Sequence, residues 1–190
     1  MKTPSFIILI LIFAISNSLN AQTFDFRSTN WGMDSNKVKK AELSRLIISR
    51  KNSLVYTGKL DDFDTKIDYN FTPSGELYHA AYIISLTDRN PQTYVTTFLM
   101  LQDFLTQKYN APYDVVTSTI NGKIIKQEEW ATNLISDNLN LETKWKTTKT
   151  DISLSLFSIS DELIIEVNYT SLEHNKKNSE EKKIQIMKDL

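Results

Sequence analysis

The chain has 190 residues, of which 41% are hydrophobic, and a formal net charge of −1 at pH 7, with no cysteine. Balanced charge argues against nucleic-acid binding, because such proteins usually carry a basic surplus or stripe. The absence of cysteine excludes disulfides, thiol nucleophiles and a lipid-anchored cysteine.

The amino terminus has the organisation of a secretory signal. A positive start, Met1-Lys2, precedes an apolar run over residues 6–15, and small and polar side chains then lead to Ala21 and Gln22. This is the order of a signal peptide with its cleavage site. A membrane-spanning helix needs roughly 20 apolar residues, about twice this run. The pattern predicts a signal peptide over residues 1–21, cleavage between Ala21 and Gln22, and export to the periplasm or the extracellular space.

The next segment predicts one short helix and three strands. Asp34 suits a helix N-cap, and the pattern after it predicts a helix over residues 35–43. Strands are predicted at residues 53–60, 63–71 and 77–86. The middle strand alternates apolar and polar side chains at every step, which indicates one buried and one solvated face. Between it and the third strand, Thr72-Pro73-Ser74-Gly75 has the composition of a turn.

A second helix has the clearest boundaries in the sequence. Asn90 can cap it, Pro91 suits the first helical position, and Asn110 followed by Pro112 can end it after Tyr109. Its apolar residues recur at helical spacing: Tyr94, Phe98, Leu101, Leu105 and Tyr109. The pattern predicts about five turns of helix packed on the sheet.

The second half of the chain predicts up to five further strands. Residues 115–120 form the first, and Asn121-Gly122 predicts a hairpin with a return strand. Alternating segments at residues 139–145, 152–156 and 163–169 give the others. Half-solvated strands favour an antiparallel sheet, so the sequence predicts an α+β fold with two helices packed on one face. Residues 22–172 form one domain in this interpretation, and residues 173–190 form a charged tail that is either helical or disordered.

Few residues are available for familiar enzyme chemistry. His79 and His174 are the only histidines, and no metal-binding, nucleophile-elbow or phosphate-loop motif is present. We therefore expect no catalytic residue, no metal and no cofactor. Carboxylates that converge only in three dimensions leave a hydrolase open as the alternative.

The turn at residues 72–75 predicts a strand register and hence an open face. A four-residue loop places Tyr69 opposite Tyr78 on a core face, and Asp68 opposite His79 on the solvated face. Leu77 and Ile83 then lie on the solvated face as well. We expect these four residues, Asp68, Leu77, His79 and Ile83, to form a protein-binding surface.

Several short segments carry a resemblance to known proteins. They are Trp31-Gly32-Met33, Val38-Lys39, Tyr69-Asn70-Phe71, Gly75-Glu76-Leu77 and Lys108-Tyr109-Asn110-Ala111-Pro112. The pattern resembles small exported proteins that open with a Trp-Gly-Met turn and a short helix. Their layout is similar to the β-lactamase inhibitor protein-like and outer-membrane assembly lipoprotein E-like folds. The resemblance implies a binding or scaffolding module of the cell envelope. The chain has Asn110 where that pattern has glycine, and it lacks the cysteine that anchors the assembly lipoproteins.

Together these observations predict an exported, non-enzymatic protein that binds an envelope protein through an open sheet face or a strand edge. We expect no nucleic-acid partner, no stable membrane span and no lipid anchor.

Overall fold

A computed structural model describes residues 24–86, 90–119, 122–123, 125–136, 138–160 and 162–190. The predicted signal peptide and its cleavage site, Ala21 and Gln22, lie outside these residues. The described strands are β1 (Arg45–Arg50), β2 (Ser53–Leu60), β3 (Phe63–Phe71), β4 (Leu77–Ile84), β5 (Asp114–Thr119), β6 (Leu139–Lys146), β7 (Thr150–Ile159) and β8 (Glu162–Ser171). The described helices are α1 (Ser35–Ala41), α2 (Pro91–Tyr109), α3 (Trp130–Ile135) and α4 (Leu172–Asp189).

All eight strands form one antiparallel sheet in the order β1-β2-β3-β4-β8-β7-β6-β5. The predicted α+β class with an antiparallel sheet is therefore confirmed. Each half of the chain builds a four-stranded half-sheet, and the two halves meet where β4 pairs with β8. The two edges of the sheet are β1 and β5.

One face of the sheet holds the hydrophobic core. Alternate residues on the strands point to it, as the period-2 pattern predicts, and Ile67, Tyr69 and Trp145 are fully buried there. Helices α1, α2 and α3 contribute buried side chains to the same core, through Val38, through several α2 residues, and through Leu134. Burying one large apolar side chain stabilises the fold by roughly 1.5–3 kcal/mol.

The sequence signals that define α1 and α2 are confirmed. The Asp34 carboxylate accepts from the amides of Asn36 and Lys37, and the Asn90 side chain accepts from the amide of Gln92. These bonds satisfy amide groups that have no partner within a first helical turn. Four residues of the predicted stripe, Tyr94, Phe98, Leu101 and Leu105, are buried, and the fifth, Tyr109, packs partly buried against the core.

Two elements differ from the predicted order. Strand β1 was not predicted, because its sequence does not alternate apolar and polar residues. All six of its residues are exposed, so neither of its faces is buried. The return strand predicted after Asn121-Gly122 is wrong: β5 pairs with β6, and a 3-10 turn (Gln127–Glu129) and α3 lie between them in the described part of the chain. The Gly122 amide donates to the Thr119 carbonyl at 3.2 Å, and Ile120 and Asn121 lie outside the described residues.

The predicted register of β3 and β4 is wrong by two residues. Tyr69 lies opposite Ala80 instead of Tyr78, and the register shifts between Asn70 and Phe71. The backbone explains this shift, because the Leu77 amide donates to the Met33 carbonyl and the Leu77 carbonyl accepts from Gly32. The Trp-Gly-Met turn thus occupies the backbone groups of Leu77 at the start of β4.

The predicted tail, residues 173–190, for which the sequence left helix and disorder open, is helical up to Asp189 and lies in α4. Its first half packs across the end of the sheet at the β3–β4 turn. His174 and Lys177 contact the Glu76 carboxylate at 3.2 and 2.7 Å, and Glu181 accepts from the Ser74 amide. Beyond Lys182 every residue of the helix is exposed.

Candidate functional site: the open sheet face and the β1 edge

Three of the four residues predicted for the binding surface share the open face of the sheet. Asp68 lies opposite Ala81, His79 lies opposite both Asn70 and Thr170, and Ile83 lies opposite Glu166. Leu77 is not among them: it lies opposite Phe71 and is fully buried in the core. The bulge at Asn70 and Phe71 moves Leu77 to the other face, so its predicted exposure is wrong.

A polar cluster occupies the centre of this open face. The Asn70 amide nitrogen donates to Asp68 Oδ2 at 2.9 Å and lies 3.3 Å from His79 Nδ1. Asn168 lies on the neighbouring strand and contacts Glu166 Oε2 at 3.5 Å. The small side chain of Ala81 separates Asp68 from Asn168, so the longer polar side chains can lean over it.

Burial dominates the electrostatics of the cluster. It lowers the pKa of His79, although the charge of Asp68 and a hydrogen bond with Asn168 act in the opposite direction. Burial also raises the pKa of Glu166, the Asn168 hydrogen bond opposes this, and the charge of Asp68 adds to it. His79 is therefore a neutral ring near pH 7, and burial favours the protonated form of Glu166 on the same surface.

The described residues contain no group of three or more histidine, aspartate or glutamate side chains placed to hold a metal ion. Among the same residues, no helix is long and apolar enough to cross a bilayer.

The β1 edge is a second candidate surface, which the sequence prediction named only as a strand edge. In the described part of the chain β1 pairs with β2 alone, so its outer backbone groups face away from the sheet. Its three consecutive apolar residues, Leu46, Ile47 and Ile48, are 39%, 40% and 37% exposed. The sequence signal that could have found this strand is the Leu-Ile-Ile triplet between Arg45 and Arg50.

Charge on the β1–β2 hairpin has one sign. Residues 43–60 carry Arg45, Arg50, Lys51 and Lys59 and no acidic residue. Lys59 pairs with Asp64 at 3.2 Å, whereas the other three cations make no salt bridge with a described residue. The hairpin therefore presents exposed apolar side chains within a positive field.

Comparison with protein-family models, with curated proteins and with solved structures found no match to this chain.

Proposed function

We propose that this chain is an exported, non-enzymatic module of the cell envelope that binds a protein partner by adding the partner's strand to its β1 edge. The observation that carries the proposal is the exposure of every residue of β1 at an otherwise unpaired edge. Its export rests on the signal pattern of residues 1–21, and its envelope role agrees with the resemblance of the Trp31-Gly32-Met33 opening.

The edge, rather than the open face, is the better binding surface. With Leu77 in the core, the open face keeps Ile83 and a cluster of polar side chains that already contact each other. The edge combines unpaired backbone groups with exposed Leu46 and Ile48, and these are the two features that strand addition requires. Main-chain hydrogen bonds supply the affinity of such complexes, and side chains supply the selectivity.

The charge of the hairpin defines the partner. Arg45, Arg50 and Lys51 favour an extended segment that alternates acidic and apolar residues, because opposite potentials steer association and exclude like-charged partners. Two copies of the same edge would bring Arg45, Arg50 and Lys51 against each other, and like charges disfavour that pairing. The proposed partner is therefore an acidic strand of a different protein.

A short synthetic peptide that alternates glutamate and valine tests this directly. We expect it to bind the mature protein and to protect β1 amides from hydrogen exchange, while a lysine–valine peptide of equal length does not. Ile48→Lys should abolish binding, because it adds a buried charge at the contact. Val115→Lys, on the exposed side of the opposite edge strand β5, is the matched control and should bind normally.

Two results would contradict the proposal. One is equal binding of the acidic and basic peptides; the other is protection of β5 or the open face instead of β1. Capture from the native envelope then identifies the natural partner, with Ile48→Lys as the negative control and Val115→Lys as the positive one.

A hydrolase is the second candidate, and one observation favours it. Asp68 and Glu166 share the open face, and the raised pKa of Glu166 beside the charge of Asp68 is the pairing that general acid catalysis uses. Hydrolysis of glycan or peptide substrates should then be lost in Glu166→Gln. It should be retained in Glu142→Gln, which removes a carboxylate that pairs with Lys144 on the same face.

A further inference from the structure

A groove crosses the helix-covered face of the protein between α2 and the elements before it. Helix α2 packs on β6, β7 and β8, whereas residues 24–42 cover the strands of the first half-sheet through Phe26 and Val38. Two cavities of about 440 Å³ each lie between α2 and residues 24–42. Both are lined by Tyr82, Lys108 and Tyr169, so they adjoin along these side chains, and together they are here called the α2 groove.

One end of the α2 groove is mainly apolar. Its apolar walls are Leu60 and Phe63 at the end of the β2–β3 hairpin, and Met100, Phe104 and Leu105 on α2. Asp61 and Asp62, between β2 and β3, also line this end, whereas neither lines the positive end. Phe104 is 55% exposed, although it belongs to the described helix that supplies the most side chains to the core. Exposed apolar surface that lines a concave site is typical of ligand binding.

The other end of the groove is polar and positive. Arg27, Lys108 and Lys149 line it together with tyrosine and threonine side chains. Neither Lys108 nor Lys149 forms a salt bridge with a described residue, whereas Asp25, the acid that lines this end, and Glu42 beside Arg27 both have partners. Asp25 accepts from the Trp31 amide at 2.9 Å, and Glu42 accepts two bonds from the Arg27 guanidinium.

The two ends together define an amphipathic site. We propose that the α2 groove binds a single-chain amphiphile with an anionic head group. Its hydrocarbon chain lies between Phe63 and Phe104, and its head group lies near Lys108 and Lys149. Each half of the groove is within the usual volume range of small-molecule sites, roughly 300–1,000 Å³. No residue of β1 lines the groove, so this proposal is independent of strand addition.

The proposal is tested with ligands that differ in hydrocarbon chain length and in the charge of the head group. Calorimetric titration of the mature protein would use decanoate, decyl phosphate, butyrate and decyltrimethylammonium, all below their micelle concentrations. We expect decanoate or decyl phosphate to bind at one site, and the cationic and short-chain ligands to bind at least about ten-fold more weakly. The stronger of the two anions then distinguishes a carboxylate from a phosphate head group.

Substitutions in the groove test whether the ligand binds there. Lys108→Glu with Lys149→Glu, and separately Phe104→Asp, should each weaken binding of the anion by about ten-fold or more. All three positions are exposed, so the fold should be retained, which circular dichroism checks. Lys176→Glu, at an exposed position on α4, is the control and should bind as the unmodified protein does.

Three outcomes would overturn the proposal. They are no saturable binding, equal affinity for decanoate and decyltrimethylammonium, or unchanged affinity in both groove variants. The proposal would also be overturned if the protein were a dimer whose groove became accessible only after removal of residues 183–190. In that case the apolar end of α4 from a second copy would be the occupant.

Discussion

Glu42 places a negative charge inside the core, with its side chain only 1% exposed. The Arg27 guanidinium donates to both of its carboxylate oxygens, at 2.7 and 3.1 Å, and the Tyr69 hydroxyl donates at 2.6 Å. Burial would raise the pKa of Glu42, but these bonds and those of Ser44 hold it below its usual value. The network ties the segment before α1 to β3.

Glu42→Gln should therefore destabilise the protein strongly. It leaves Arg27 without its counter-charge, and we expect the free energy of unfolding to fall by about 3 kcal/mol, the low end for broken buried pairs, because Arg27 keeps some solvent contact. Urea denaturation measures this. Asp64→Asn removes the exposed pair with Lys59 and should change stability by less than about 1 kcal/mol. Equal effects of the two substitutions would contradict the buried network.

His79 should make stability depend on pH. Burial lowers the pKa of His79 in the folded protein, so the unfolded chain takes up this proton first, near pH 6.5. The stability that neutral His79 contributes is complete above that pH and is lost as the pH falls below it. The charge of Asp68 opposes the shift, and Glu166, with a raised pKa, acts in the opposite direction at more acidic pH.

We expect the free energy of unfolding to decrease between about pH 7.5 and pH 6, and His79→Gln to reduce this decrease. Urea denaturation at both pH values is the measurement. An equal decrease in the variant would show that another group controls this range.

Helix α4 illustrates how contacts decide the state of an element with a weak sequence signal. Its apolar stripe is thin, and Ile184 and Met187 are more than half exposed. The Ser171 side chain nevertheless caps the helix by accepting from the His174 amide, and Asn178 is buried. The first half therefore docks through polar contacts, and the second half projects.

Two truncations separate the halves of α4. Removal of residues 183–190 should leave the free energy of unfolding unchanged within about 0.5 kcal/mol, because every removed residue is exposed. Removal of residues 173–190 should cost on the order of 2 kcal/mol, since it deletes a helix cap and ion pairs worth up to about 1 kcal/mol each. Thermal or urea unfolding of both truncated proteins measures the two losses of stability. A negligible loss in the longer deletion would mean that the docked half does not contribute to folding.

At the scale of the whole molecule, one open sheet separates two different surfaces. Helices and the segment before α1 cover one face and leave the α2 groove, while the other face and the β1 edge stay accessible. Three candidate surfaces are therefore separate in one fold, and we expect substitutions at one of them to leave the other two unchanged.

Export is the prediction that applies to the entire chain. We expect the secreted protein to begin at Gln22, because the predicted signal peptide ends at Ala21. Intact mass of the protein recovered outside the cytoplasm checks this. A recovered protein that still contains Met1 would contradict cleavage, and recovery from the cytoplasm alone would contradict export.

Local chemistry let the sequence determine most elements of the fold. The caps at Asp34 and Asn90 and the apolar spacing of α2 involve only neighbours along the chain, so they were readable without a structure. Alternation along β3, β6, β7 and β8 fixed which side chains face the core. Asp68, His79 and Ile83 kept their predicted face even though the register was wrong, because a shift of two residues preserves the period of a strand.

The tertiary structure decided what depends on distant partners. Leu77 is buried because a bulge and the turn at Gly32 and Met33 reset the start of β4, which no local pattern encodes. Strand β1 is held by β2 alone, so its six exposed residues carry no burial periodicity to read. The hairpin signal after β5 was overridden because β6 supplies the backbone partners of that strand from farther along the chain. The α2 groove lies over β4 and β8, where α2 and the segment before α1 leave a gap. Its side chains come together through the strand order of the sheet, which sequence spacing does not specify.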